Sequence, residues 1–429
     1  MAKPKLALIP ATQGSKLYSV LPADGVGDFN FSRNTGATRI NKDGLIETVA
    51  VGKSRLNYPL IDGVVNGCPS HLLEPQRFQK IQYSEDFSNA YWTKSGLLTP
   101  TSGFVSPKGD LSAFKLVEDT STGSHRILPN NTVNSQKHAF SVFVKKDTRN
   151  WIFLRLDGLA SDQRTWFDLE NGVIGTINSD HNAEIVSLSN GWYRCSVSIK
   201  GTTYQAAYPI LGIADADNSS SYTGNGTSGV YIWGIQAEAG SYPTSYIPNY
   251  GTSAGITRSA ETANGAGDAS TFNDSEGVLM AEISTSSLNA YELISVTDSV
   301  SGNSFVSIGF NNSANNSYKQ VRFGGINLFP NFIDPIIRTS FNKIAIKYKS
   351  GNSSFYVNGF EIDNSSITYT PSSVMSELKF SYYDNNDPFY GNTKQIQYFD
   401  SALNDSDLEK ITSWTSFTDL ANGQTYSIK

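Results

Sequence analysis

Apolar and polar positions alternate along much of this chain. The clearest runs are Ala139-Phe-Ser-Val-Phe-Val144, Trp151-Ile-Phe-Leu-Arg-Leu156, Gly191-Trp-Tyr-Arg-Cys-Ser-Val-Ser-Ile199 and Gly229-Val-Tyr-Ile-Trp-Gly-Ile-Gln236. A period of two predicts strands with one face on a core. In the third run, Tyr193, Cys195, Val197 and Ile199 share the expected core face, while Trp192, Arg194, Ser196 and Ser198 share the other. Asn171-Gly172 and Asn190-Gly191 supply turns, so residues 78–250 are expected to form an antiparallel sandwich.

A second set of strands begins at Gly277-Val-Leu-Met-Ala-Glu-Ile283 and continues through Ser304–Phe310, Lys343–Tyr348, Ser354–Val357 and Glu377–Tyr382. It predicts a second sandwich over residues 275–429. Asn358-Gly359 suits a two-residue hairpin, which needs positive φ at both positions. Asn404 is a candidate cap for a short helix through Ile411. Residues 251–274, rich in Gly, Ala, Ser, Thr and Asn, read as a linker. Residues 1–77 hold short extended pieces with too few recurring apolar residues for a core of their own, and read as an extended arm that needs a partner surface. The fold class expected is all-β: two antiparallel jelly-roll sandwiches after an N-terminal arm.

Composition narrows the functions. With 429 residues and a net charge of −6, the chain has nothing to offset the approach to a phosphate backbone or an anionic membrane, so neither nucleic acid nor membrane insertion is expected. The N-terminus lacks a signal peptide's continuous apolar run, being broken by Pro4 and Pro10. Cys68 and Cys195 stand far apart and read as buried free thiols. His71, His125, His138 and His181 show no ligand spacing, so no zinc site is expected.

Long motifs carry a resemblance. Phe29–Glu47, Leu73-Glu-Pro-Gln-Arg77, Tyr83–Trp92 and Tyr231–Pro248 resemble a family of bacteriophage structural proteins of the tail-fibre or head-fibre kind, in which the region after Leu-Glu-Pro-Gln-Arg looks like a carbohydrate-binding-module jelly roll. Asn342–Gly351, Tyr356-Val-Asn-Gly359 and Tyr390–Leu408 are similar to the laminin-G and concanavalin-like superfamily. The resemblance implies a virion surface protein, made in the host cytoplasm and released by lysis. Its residues 1–77 would anchor it to other virion proteins, its assembly would be a homotrimer, and its sandwiches would face host-surface glycan.

No catalytic motif is present, and an enzyme is not expected. Aromatic rings stack on sugar faces while amides and carboxylates bond hydroxyls, which makes Tyr382, Tyr383, Asp384, Asn385, Asp387 and Tyr390 the candidate ligand-binding residues. The oxygens of Asp384, Asn385, Asn386 and Asp387 would also suit calcium, although an Asn/Asp turn without metal is the favoured account and no cofactor is expected. Trp92, Trp151, Trp166 and Trp192 are expected in the core. Two alternatives stand beside host adhesion: a purely architectural decoration protein without ligand, and a particle-borne glycan-degrading enzyme.

Overall fold

The computed structural model describes residues 2–10, 14–130, 137–157, 162–201, 209–298, 301–313 and 315–413. Within them the chain is all-β, two antiparallel sandwiches with one α-helix, Asp405–Ser413, and no helix is long and apolar enough to cross a membrane. Asn404 caps that helix by accepting the Asp407 N–H at 2.9 Å.

In the first sandwich, strands Thr101–Phe104, Ala113–Val117, Gly229–Ala239, His138–Lys146, Tyr193–Ile199 and His181–Ser187 lie in that order. A six-stranded sheet faces them, ordered Trp92–Ser95, His125–Pro129, Ile210–Ala214, Trp151–Arg155, Arg164–Asp168, Val173–Ile174. Register puts Val142 opposite Cys195 and Phe140 opposite Val197, and these pack on Ile152, Leu154, Phe167, Leu211 and Ile213 of the other sheet. Each such side chain contributes roughly 1.5–3 kcal/mol when fully buried. The alternation therefore located this core face correctly. Trp92, Trp166 and Trp192 are buried and Trp151 is half-buried. Asn190 and Gly191 both take positive φ, 62° and 73°, which ends the strand pair tightly.

Burial pushes the Cys195 thiol well up, as expected of an inert core cysteine. Cys68 differs from the expectation. It is exposed, because it falls in the turn between Gly67 and Pro69 and not on a strand with a core face.

The second sandwich pairs a five-stranded sheet, ordered Ile326–Asn327, Ser317–Phe323, Ser304–Phe310, Glu292–Thr297, Glu377–Lys379, with a nine-stranded one. The larger sheet runs Ser19–Leu21, Leu6–Leu8, Gly391–Phe399, Glu276–Ser284, Asn342–Lys349, Ser353–Val357, Phe360–Ser365. Its hairpin at Asn358 and Gly359 has φ of 50° and 91°, the turn expected.

Four strands of the larger sheet come from the N-terminal segment: Leu6–Leu8, Ser19–Leu21, Leu56–Asn57 and Ser70–Leu73. Leu6–Leu8 and Ser70–Leu73 both pair antiparallel with Gly391–Phe399, Leu6 opposite Tyr398 and His71 opposite Thr393. Leu6, Leu8, Leu17, Phe29, Phe31 and Leu73 join the core of the second sandwich. The segment has too few apolar residues for its own core because it completes another one. Its partner surface is the chain itself.

The stretch read as a linker is likewise built in. Ile256–Arg258 pairs with Arg77–Gln79, and Thr262–Asn264 pairs with Phe29–Ser32. Ala263 and Ala266 are fully buried, and their backbones bond to those of Phe380 and Leu378. Between the two pairings lies a buried ionic cluster. Glu261 receives Arg33 at 2.6 Å and Arg55 on both oxygens, together with the Glu74 N–H at 2.8 Å. Glu74 receives Arg55 at 2.8 Å and Arg258 at 2.7 Å. Glu74 belongs to the Leu-Glu-Pro-Gln-Arg motif, so that motif marks the joint between the two sandwiches.

Candidate functional site

The outward face of the five-stranded sheet is the candidate site. Along its strands Val306, Ile308, Phe310, Val321 and Phe323 point into the core, which turns Phe305, Ser307, Tyr318 and Gln320 outward. The chain beyond Glu377–Lys379 folds back across this outward face. There Tyr383 stacks on Phe305 with centroids 4.7 Å apart, and Tyr382 meets the same ring edge-on at 5.3 Å.

Beside Tyr382 opens a cleft of about 560 Å³, lined by Tyr291, Asn311, Tyr318, Gln320, Pro330, Asn331, Phe332, Ile333 and Tyr382. Tyr318 stands edge-on to Tyr291 at 5.6 Å and stacks with Phe332 at 6.3 Å. The phenols of Tyr318 and Tyr382 each donate to Gln320 Oε1 at 2.6 Å, and Gln320 Nε2 donates to Asn327 at 3.1 Å. This fixes the orientation of the rings. Burial, and then each other's proximity, raises the Tyr318 phenol well above its ordinary value; burial raises that of Tyr382. Both therefore stay protonated donors at neutral pH. No carboxylate lines the cleft among the described residues.

The structure scatters the six residues singled out from sequence. Tyr382 lines the cleft. Tyr383 is spent on Phe305 and on Gly302, where a Cβ would approach its ring to 2.3 Å. Asp384 closes a turn by accepting the Asn386 N–H at 3.0 Å and side-chain amide at 2.9 Å. Asn385 and Asp387 take positive φ, 67° and 46°, and the Asn385 oxygen accepts from Lys379 at 3.1 Å. Among the described residues no group of three or more His, Cys, Asp or Glu is arranged to hold a metal ion.

Tyr390 is turned away altogether. Its N–H donates to Glu292, its carbonyl accepts from Thr285 at 2.7 Å, and its ring packs against the core. The reason is register: Phe389 and Tyr390 lead into the central strand Gly391–Phe399, so the chain has left the outward face by then. The other eight lining residues, from separated stretches at 291, 311, 318–320 and 330–333, were missed. The nearest sequence signal was Phe329-Pro-Asn-Phe332, a loop whose Phe329 joins the core while Asn331 and Phe332 line the cleft.

Glu292 provides a check on this region. It is fully buried, and burial pushes its carboxyl up to about 8 against the opposing pull of the Tyr390 N–H, Ser287 and Arg338. The folded state thus holds a proton that the unfolded state releases above the ordinary carboxylate value. Stability should be fully present below about pH 4.5 and decline as pH rises toward about 8. The Glu292→Gln variant is expected to abolish that decline, so melting temperatures at acidic and mildly alkaline pH converge. An unchanged pH slope in the variant would show that Glu292 is not the group responsible.

No protein-family model matches the chain, and no curated protein matches it. Among solved structures it is similar to the sialidase carbohydrate-binding module of Ruminococcus gnavus bound to α2,3-sialyllactose, at 19% identity over 35% of this chain and 88% of that one, TM-score 0.30. It is also similar to a Bacteroides ovatus protein assigned to carbohydrate binding, at 14% identity over 68% and 80%, TM-score 0.26. A third is domains LG4-5 of the mouse laminin α1 chain, at 9% identity over 67% and 90%, TM-score 0.22. At these values the chain's own residues must decide what it binds.

Proposed function

We propose that this protein binds glycan in the cleft over its five-stranded sheet. The observation that carries the reading is the cleft itself: Tyr291, Tyr318, Phe332 and Tyr382 wall a space of about 560 Å³, with Asn311, Gln320 and Asn331 among them. Rings present flat apolar faces for the C–H side of a sugar, and amides donate to and accept from its hydroxyls. Tyr318 sits on a strand and shares Gln320 with Tyr382, so these two rings lose little side-chain freedom on binding.

The experiment is a glycan array followed by calorimetry with the best hit. Phe332→Ala and Tyr291→Ala, both at half-buried rings, should each weaken binding by about 1 kcal/mol or more while leaving the melting temperature nearly unchanged. Wild-type affinity in both variants, or no glycan retained by the array, would remove the cleft from consideration. Incubation with host polysaccharide should release no new reducing ends, since the cleft offers no acid and base pair.

We further propose that the glycan is met at the surface of a phage particle. The support is the run of motifs at Phe29–Glu47, Leu73–Arg77 and Tyr231–Pro248. Electron microscopy of intact particles with a labelled chain tests this, and would also show whether three copies assemble.

A further inference from the structure

The structure also holds a second cleft, of about 380 Å³, where the first sandwich, the N-terminal segment and the second sandwich meet. Phe143, Arg194, Ser196 and Glu184 reach it from the outward face of the first sandwich, Asn57 and Tyr58 from the N-terminal segment, Ser245 from the chain after Gly229–Ala239, and Ser286 and Asn392 from the second sandwich. Its lining is rich in hydroxyls and amides, with Tyr58 as an aromatic wall.

Arg194 is the unusual member. Its guanidinium lies 5.4 Å over the Phe143 ring, and Nη2 donates to Ser141 Oγ at 2.9 Å and to the Thr244 carbonyl at 2.7 Å. Nε is buried without a partner, and among the described residues Arg194 makes no ion pair. The other charged groups of the lining are engaged or at the rim. Arg39 pairs with Glu47 at 2.8 Å, Glu74 is held by Arg55 and Arg258, and Glu184 is exposed. Burial lowers the Arg194 pKa even though Glu238, Glu184 and Glu74 lie near enough to raise it. Arg194 as a whole is half-buried, with its Nε fully so, and a partly desolvated cation with no contact counter-charge would gain from an anion seated against it.

We infer that this junction cleft is a second saccharide site, selective for a sugar that carries a carboxylate, with Arg194 as the recognising cation. The carboxylate meets Arg194, and the sugar hydroxyls meet Ser196, Ser245, Asn57 and Asn392. The site exists only when three parts of the chain are docked, so the ligand binds the joined form and stabilises it.

Titration of the full chain with D-glucuronate and with D-glucose, followed by ligand-observed NMR, tests this. Glucuronate should bind about tenfold more tightly than glucose, and Arg194→Gln should remove that preference, the scale of a lost charge-assisted hydrogen bond. Glu184→Gln, at an exposed rim position that folding does not need, should tighten glucuronate several-fold by removing a like charge. Phe332→Ala, in the other cleft, should leave glucuronate binding untouched. The inference is overturned by equal or absent binding of the two sugars, by an unchanged preference in a folded Arg194→Gln, or by loss in Phe332→Ala, which would place the sugar in the first cleft. If Arg194→Gln does not fold, an unchanged affinity in Glu184→Gln overturns it alone.

Discussion

Glu261→Ala is expected to cost about 3–5 kcal/mol of folding stability, read as a shift of the urea midpoint, because it strands two guanidiniums in the interior. Arg33, Arg55 and Glu261 have fully buried side chains. Arg33 keeps carbonyl partners at Thr35 and Ala50 but loses its carboxylate, while Arg55 keeps Thr38 and must share Glu74 with Arg258. His71 cannot help: burial, then Arg55 and Arg33, pushes it down to about 3, so it is neutral there. Glu261→Gln should be milder, since an amide oxygen can still accept. A loss under about 1 kcal/mol for alanine would mean that water enters the joint and solvates the arginines, as it does for exposed pairs.

The same cluster responds to acid. Burial would raise the Glu74 carboxyl, but Arg258 and Arg55 outweigh it and hold the group well below the ordinary carboxylate range. A depressed folded pKa contributes stability that is present above the unfolded value and lost as pH falls through the folded one. Acid should therefore loosen the joint.

The second large effect is expected from a chain that starts at Phe78. Six core side chains leave with residues 1–77, namely Leu6, Leu8, Leu17, Phe29, Phe31 and Leu73. At roughly 1.5–3 kcal/mol each this is on the order of 10 kcal/mol, comparable to the whole stability of a typical domain. The central strand Gly391–Phe399 also loses both N-terminal pairing partners, leaving open backbone groups on a hydrophobic strand. The second sandwich should fail to fold or should aggregate, seen as lost protection of its amides in hydrogen exchange while the strands around Phe140 and Val197 remain protected. Full protection of both sandwiches would reduce the segment to an accessory.

Local rules decided a good part of this protein. Alternation located the core face of Cys195, Val197 and Ile199, Asn358-Gly359 set a hairpin, and Asn404 capped the helix Asp405–Ser413, because each depends on residues within a few positions. The tertiary structure alone decided the rest. Leu6–Leu8 finds its partner strand at Gly391–Phe399, and Arg33 finds Glu261 at a separation of 228 residues, pairings that no local pattern encodes. The same holds for both clefts. Tyr382 was legible because it sits in an aromatic cluster, but Tyr291, Tyr318 and Phe332 look like ordinary strand and loop aromatics until strand register turns them to one face. Arg194 reads as an outward-facing strand arginine, and only the docking of two other segments beside it makes it a half-buried charge that lines a cleft.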